Sequence, residues 1–312
     1  MKNKSFYRTV FFDLQKSIFL PFCILLLLAF QCKESVKQDS FRFVFMTDMH
    51  VMPELRADQG FLQAIETVNG LHPDFVITGG DLVKDALGEP YERSSQLFHL
   101  YDSLCTFFGM PVYNTMGNHD VFGWYEKSGV SPDDSLYGKD LYLRCMDQDK
   151  TYYSFDFKGW HFMLLDGIAL REDREYFGHI DSTQIDWIQE DLERVNAETP
   201  IVISTHIPFV SVWKQIENGG TAAIPAYLVI DNSQDVLGLF EGHNLKLVLQ
   251  GHLHIVEDIG YKNVRFITGG AVSGSWWNGS FQGFPEGFVV VDVNGDQFTW
   301  HYKTYGWNAD RD

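Results

Sequence analysis

Five short apolar runs in this chain each stop on a residue type that ligates metal ions, and that pattern limits the fold more than any other feature. Phe41–Met46 leads into Asp48 and His50. Asp74–Thr78 ends in Gly79-Gly80 and then Asp81. Pro111–Thr115 is followed by Gly117-Asn118-His119-Asp120. Ile201–Ser204 runs into His206, and Leu245–Leu249 into Gly251-His252-Leu253-His254. Each run is too short for a helix and long enough for a buried strand. Segments with helical apolar spacing lie among them: Glu54–Asn69, Tyr91–Phe108 and Ser182–Val195, the last with Ser182 or Thr183 as its expected cap. The chain therefore reads as α/β, a class in which sites gather at the carboxyl ends of strands.

The seven residues Asp48, His50, Asp81, Asn118, His206, His252 and His254 offer oxygen and nitrogen donors and no thiolate. Such a set suits manganese, iron or zinc better than a structural thiolate site. Seven donors exceed the needs of one ion, and two ions sharing a carboxylate use them naturally. The D-x-H and H-x-H spacings place both ligands on one side if the segment is extended. Glycines before Asp81, Asn118 and His252 are expected to let the backbone turn sharply.

In the order TDMH, GGDLVK, GNHD, STH and GHLH, these blocks resemble the calcineurin-like metallophosphoesterase superfamily, and they spread from Asp48 to His254. The stretch GHIDSTQIDWIQEDL resembles a helix of its bacterial phosphodiesterase-like members. The resemblance implies a four-layer α-β-β-α sandwich with a β-rich C-terminal part, residues 255–312 closing a catalytic domain of residues 41–312. It implies two divalent ions, one on Asp48, His50 and His254, the other on Asn118, His206 and His252, with Asp81 bridging. A hydroxide between the ions would attack phosphorus in line, His119 would protonate the leaving oxygen, and Asp120 would orient His119. The implied reaction is hydrolysis of a phosphate ester. A phosphodiesterase is favoured, with a phosphomonoesterase as the alternative and a non-catalytic binding scaffold as a remote one.

Purple members of the superfamily carry a tyrosine ligand three residues after the bridging aspartate. Lys84 stands there instead, which disfavours that subgroup. Trp276 and Trp277, among glycines, either line the substrate pocket or cover the core. Six other histidines (His72, His99, His161, His179, His243 and His301) belong to no block and read as scaffold or surface. The segment Phe288–Gly306 reads as a hairpin turning at Asn294-Gly295.

Composition bears on partners. The chain carries 42 acidic against 24 basic side chains, a formal net charge of −18. A body so acidic repels a phosphate backbone, which disfavours nucleic acid but not a small phosphate ester held by metal ions. The basic N-terminus followed by apolar Ser17–Phe30 reads as an export signal over residues 1–31, with Cys32 as a lipidated residue and residues 32–40 as a polar linker. The expected location is periplasmic or membrane-attached, through the signal or a lipid anchor. Cys105 and Cys145 either pair after export or remain buried thiols.

Overall fold

The computed structural model describes residues 39–309. The expected export signal, Cys32 and nearly all of the linker lie outside the described residues. Among the described residues, thirteen strands and six helices follow in chain order: β1 Ser40–Met46, α1 Ala57–Asn69, β2 Phe75–Gly79, α2 Tyr91–Cys105, β3 Val112–Thr115, α3 Asp140–Met146, β4 Tyr153–Phe157, β5 Trp160–Leu164, β6 Ile168–Leu170, β7 Tyr176–Gly178, α4 Ser182–Leu192, β8 Pro200–Thr205, α5 Trp213–Asn218, α6 Ser233–Gly238, β9 Asn244–Gln250, β10 Val256–Tyr261, β11 Val264–Gly269, β12 Gly287–Asn294 and β13 Gln297–Thr304.

Two sheets carry the fold. One has the order β13-β12-β1-β2-β3, the other β10-β11-β9-β8-β5-β4. The central pairs β1–β2, β2–β3, β5–β8, β8–β9 and β9–β11 are parallel, and the outer pairs are antiparallel. Side chains alternate across each strand. On β1, Phe41, Phe43 and Phe45 enter the layer between the sheets, where they meet Phe75, Phe162, Leu247 and Val291. Val44 and Met46 point the other way, into the helix-covered core with Phe61 and Ile65 of α1 and Phe98 of α2. On β8, Val202 faces the inter-sheet layer, while Ile201 and Ile203 join Ile188 and Leu192 of α4. Helices outside two facing sheets make the four-layer α-β-β-α sandwich.

The C-terminal strands close both sheets: β10 and β11 extend the second, and β12 and β13 flank β1 in the first. Some boundaries differ from the sequence reading for local reasons. Leu55 and Arg56 take left-handed φ of 53° and 52°, so α1 starts at Ala57 rather than Glu54. Helix α4 is capped by Asp181, whose side chain accepts from the Gln184 amide at 2.8 Å, and not by Ser182 or Thr183. The last hairpin turns at Gly295-Asp296, because Asn294 is still paired with Gln297. Cys105 and Cys145 are free thiols. Among the described residues, no helix is long and apolar enough to cross a membrane.

Candidate metal centre

Five strands, β1, β2 and β3 of one sheet and β8 and β9 of the other, deliver the predicted ligands at their carboxyl ends. The backbone does this differently from the extended D-x-H and H-x-H geometry expected from the spacing. Asp48, His50, Asp81, His252 and His254 all have left-handed φ, between 44° and 71°. Each such residue costs ~1 kcal/mol or more unless its surroundings hold it. Here the amides of Asp48 and His50 donate to the carbonyls of Gly80 and Asp81 at 3.0 and 2.9 Å. Met49 and Leu253, between the paired ligands, are buried among apolar side chains.

The glycines also act for a different reason than expected, except Gly80, whose φ is 89°. Gly117 has φ −111°, open to any residue. A Cβ there would collide with the amide nitrogen and carboxylate of Asp81, and one on Gly251 would collide with the Thr47 hydroxyl. Close approach of neighbouring loops, not turn conformation, demands them.

Three imidazoles are fixed by carbonyls behind them. His206 Nδ1 donates to Gly79 O at 2.7 Å, His254 Nδ1 to Gly274 O at 2.6 Å, and His252 Nε2 to Tyr227 O at 2.9 Å. A neutral imidazole that donates from one nitrogen presents a lone pair on the other. Their second nitrogens converge on further acceptors. His254 Nε2 lies 3.1 Å from Asp48 Oδ1, which is buried without a hydrogen-bond partner. His206 Nε2 lies 3.2 Å from Asp81 Oδ2, 3.0 Å from Asn118 Oδ1 and 3.2 Å from His252 Nδ1. Ligands at ~2.1 Å from one ion stand about 3 Å apart, so these spacings fit a coordination shell.

Asp81 belongs to both groups, since its Oδ2 is also 3.6 Å from His50 Nε2. Its Oδ1 accepts the His119 amide at 2.8 Å, which leaves Oδ2 facing the centre. Asp48, His50 and His254 form one cluster of possible ligands, and Asp81, His206 and His252 another. Asn118 joins the second through His206. Burial, reinforced by His206, pushes His252 down to about 4 and keeps it neutral. Burial opposes a charge on His206, but Asp81 outweighs it and lifts this residue to about 9. The carboxylates thus draw positive charge into the centre, and a metal ion binding there competes with that proton.

His119 stands within ligand reach of His50 and Asp81, but at the edge of the centre. Its ring is perpendicular to that of His50 at 4.9 Å, and its side chain is 26% exposed. Burial works against its charge, but Asp81 and Asp85 raise its pKa. The expected partner Asp120 does not orient this ring. Its Oδ1 accepts the amides of Leu82 and Val83 at 2.9 and 3.2 Å, and its Oδ2 accepts that of Gly117 at 2.8 Å. Asp120 therefore pins the Asp81 loop to the Asn118 loop. The carboxylate beside His119 is Asp85, which the sequence reading missed. Its place four residues after Asp81 in GDLVKD is the one faint signal for it.

The two tryptophans separate. Trp277 is buried against Trp307, and its Nε1 donates to His50 O at 3.0 Å, so it supports a ligand from behind rather than lining a pocket. Trp276 lies at the centre, its ring 4.5 Å from that of His254. Phe281 and Tyr176 add to this aromatic mouth, 5.5 Å from His254 and 6.1 Å from His252.

A family model for calcineurin-like phosphoesterases matches residues 41–256. The chain belongs to the calcineurin-like phosphoesterase family. This phosphoesterase is 25% identical over 186 residues to a probable cyclic nucleotide phosphodiesterase of Psychrobacter arcticus, a match covering 58% of this chain and 57% of that protein's length. Its fold is similar to that of a dimetal phosphatase from Danio rerio, with TM-score 0.60 and 13% identity over 85% of this chain and 96% of the other. It is also similar to a purple acid phosphatase from yellow lupin, with TM-score 0.53 and 15% identity over 86% and 52% of the two chains. The chain spans little more than half the length of the curated relative from Psychrobacter arcticus.

Proposed function

We propose that the protein is a metal-dependent phosphodiesterase acting on a small phosphate ester. The observation that carries this reading is the convergence of imidazole nitrogens and carboxylate oxygens beside one solvent-reaching histidine. Asp48, His50 and His254 would hold one divalent ion and Asn118, His206 and His252 the other, with Asp81 shared. Manganese or iron suits these donors best, and zinc is compatible. Bound there, the ions supply Lewis-acid stabilisation of the phosphoryl oxygens and activate the attacking water.

The chain's own groups do the rest. With His119 Nδ1 turned to Asp85, Nε2 is the nitrogen that carries a proton to the leaving oxygen. Lys127, which pairs with Asp85, also lines a cleft of about 680 Å³ together with Tyr125, Arg174 and four acidic residues. The relative from Psychrobacter arcticus supports a diester as the substrate class.

The test is hydrolysis of bis-nitrophenyl phosphate and nitrophenyl phosphate by the full chain loaded with Mn²⁺, Fe²⁺, Zn²⁺, Co²⁺ or Ni²⁺. Faster turnover of the diester is expected. No hydrolysis of either ester with any of these ions overturns the enzyme reading, and a faster monoester overturns the preference.

A further inference from the structure

Lys84 is a cation beside the centre that the ligand set leaves unused. Its Nζ lies 5.3 Å from the Trp276 ring centroid, and that ring is 4.5 Å from His254 and 5.8 Å from His50. Among the described residues, Lys84 has no carboxylate within ion-pair distance; its contact is with the Trp276 face. The adjacent acid is already engaged, since Asp85 faces His119 at 3.6 Å and Lys127 at 3.3 Å.

A half-buried ammonium without a carboxylate is unusual in a chain with 42 acidic side chains. Burial pulls its pKa down, Asp85 and Asp81 push it up, and its charge in turn acts on His119. Lys84 therefore shares the mouth of the site with the proposed acid. Two further donors on the Trp276 loop, the indole Nε1 of Trp276 and the hydroxyl of Ser273, are buried without partners.

We propose that Lys84 binds a non-bridging oxygen of the substrate's phosphoryl group, with Trp276 as the positioning residue that holds the ammonium over the centre. This deepens the phosphoesterase reading and rests on it. An ammonium is a compact charge with three donors, suited to a phosphoryl oxygen whose other oxygens face metal ions. The indole face holds the cation without neutralising it.

The probe is inorganic phosphate, titrated calorimetrically into the Mn²⁺-loaded full chain. Lys84→Met should weaken phosphate binding by about tenfold or more, and raise KM for the ester similarly, with metal content and melting temperature unchanged. Lys84→Arg should recover most of the affinity. Trp276→Phe, which keeps a ring face, should stay within about threefold of wild type, and Trp276→Leu should follow Lys84→Met. Wild-type phosphate affinity and KM in Lys84→Met overturn this inference alone. A wild-type chain that neither binds phosphate nor hydrolyses esters overturns it together with the enzyme reading. Phosphate binding that is lost in Lys84→Met, in a chain that hydrolyses nothing, leaves Lys84 standing and removes only the enzyme.

Discussion

Asp85 Oδ1 lies 3.6 Å from His119 Nδ1, and Asp85 Oδ2 lies 3.3 Å from Lys127 Nζ. The first is an ion-pair distance rather than a hydrogen bond in the free protein, and such contacts tighten when substrate arrives. The arrangement ties the proposed acid to a carboxylate that is itself tied to a surface lysine.

Asp85→Asn should therefore lower kcat by roughly 10–100-fold on an ester with a poor leaving group, the loss of an orienting partner rather than of the acid itself. An activated nitrophenyl ester, which needs little protonation, should lose far less. His119→Ala should show the same pattern more strongly, and both variants should keep their metal. Equal losses on both ester types would remove the proton-donor role.

Asp81→Ala should lose metal, because its Oδ2 faces both ligand groups. Chelation of the wild type should lower its melting temperature, since buried Asp48 and Asp81 then lack a cation. Metal content by mass spectrometry and melting curves with and without chelator check both. A wild type whose melting temperature ignores chelation would contradict the coupling.

Gly117→Ala should cost more than ~2 kcal/mol and lower metal content, because the new methyl meets Asp81. Gly220→Ala, whose Cβ would enter open space, should stay within ~0.5 kcal/mol. Denaturant titrations of the two variants make the comparison.

Away from the centre, His161 is buried between Asp191, 2.9 Å from its Nε2, and Asp156, 2.8 Å from its Nδ1. Burial opposes its charge, but the two carboxylates raise its pKa. Burial likewise opposes the Asp191 charge, yet His161 and its other partners bring that group down to about 2. The histidine's contribution is full below its unfolded pKa of about 6.5 and is lost as pH rises through its raised folded value. The aspartate's contribution is full above about 3.9 and is lost as pH falls towards 2. His161→Gln should thus destabilise by roughly 2 kcal/mol near pH 5.5 and by less at high pH. A pH-independent difference in unfolding free energy would show that the pair does not titrate as described.

The ligands are legible in the sequence because each sits where a short apolar run breaks, and that break survives in one dimension. Their conformation is not. Alternation in D-x-H suggests an extended segment, whereas Asp48 and His50 adopt left-handed φ held by hydrogen bonds to the Asp81 loop. Asp120 is the sequence neighbour of His119, and adjacency suggests a partnership. A one-turn 3₁₀ segment over Asn118–Asp120 instead turns the carboxylate onto backbone amides. Asp85 reaches His119 only through the packing of two loops, of which its place after Asp81 gives no more than a faint sign. Trp276 and Trp277 are indistinguishable as neighbours; the fold sends one to the site and the other beneath it.

The three carbonyls that fix the histidines have a wider consequence. Gly79 ends β2 in the first sheet yet holds His206 of the second, and Gly274 and Tyr227 lie on separate excursions that hold His254 and His252. One end of the sandwich is therefore laced shut through its ligands. A change in any of these loops, even at a residue that never meets an ion, alters metal retention and the cohesion of the two sheets together.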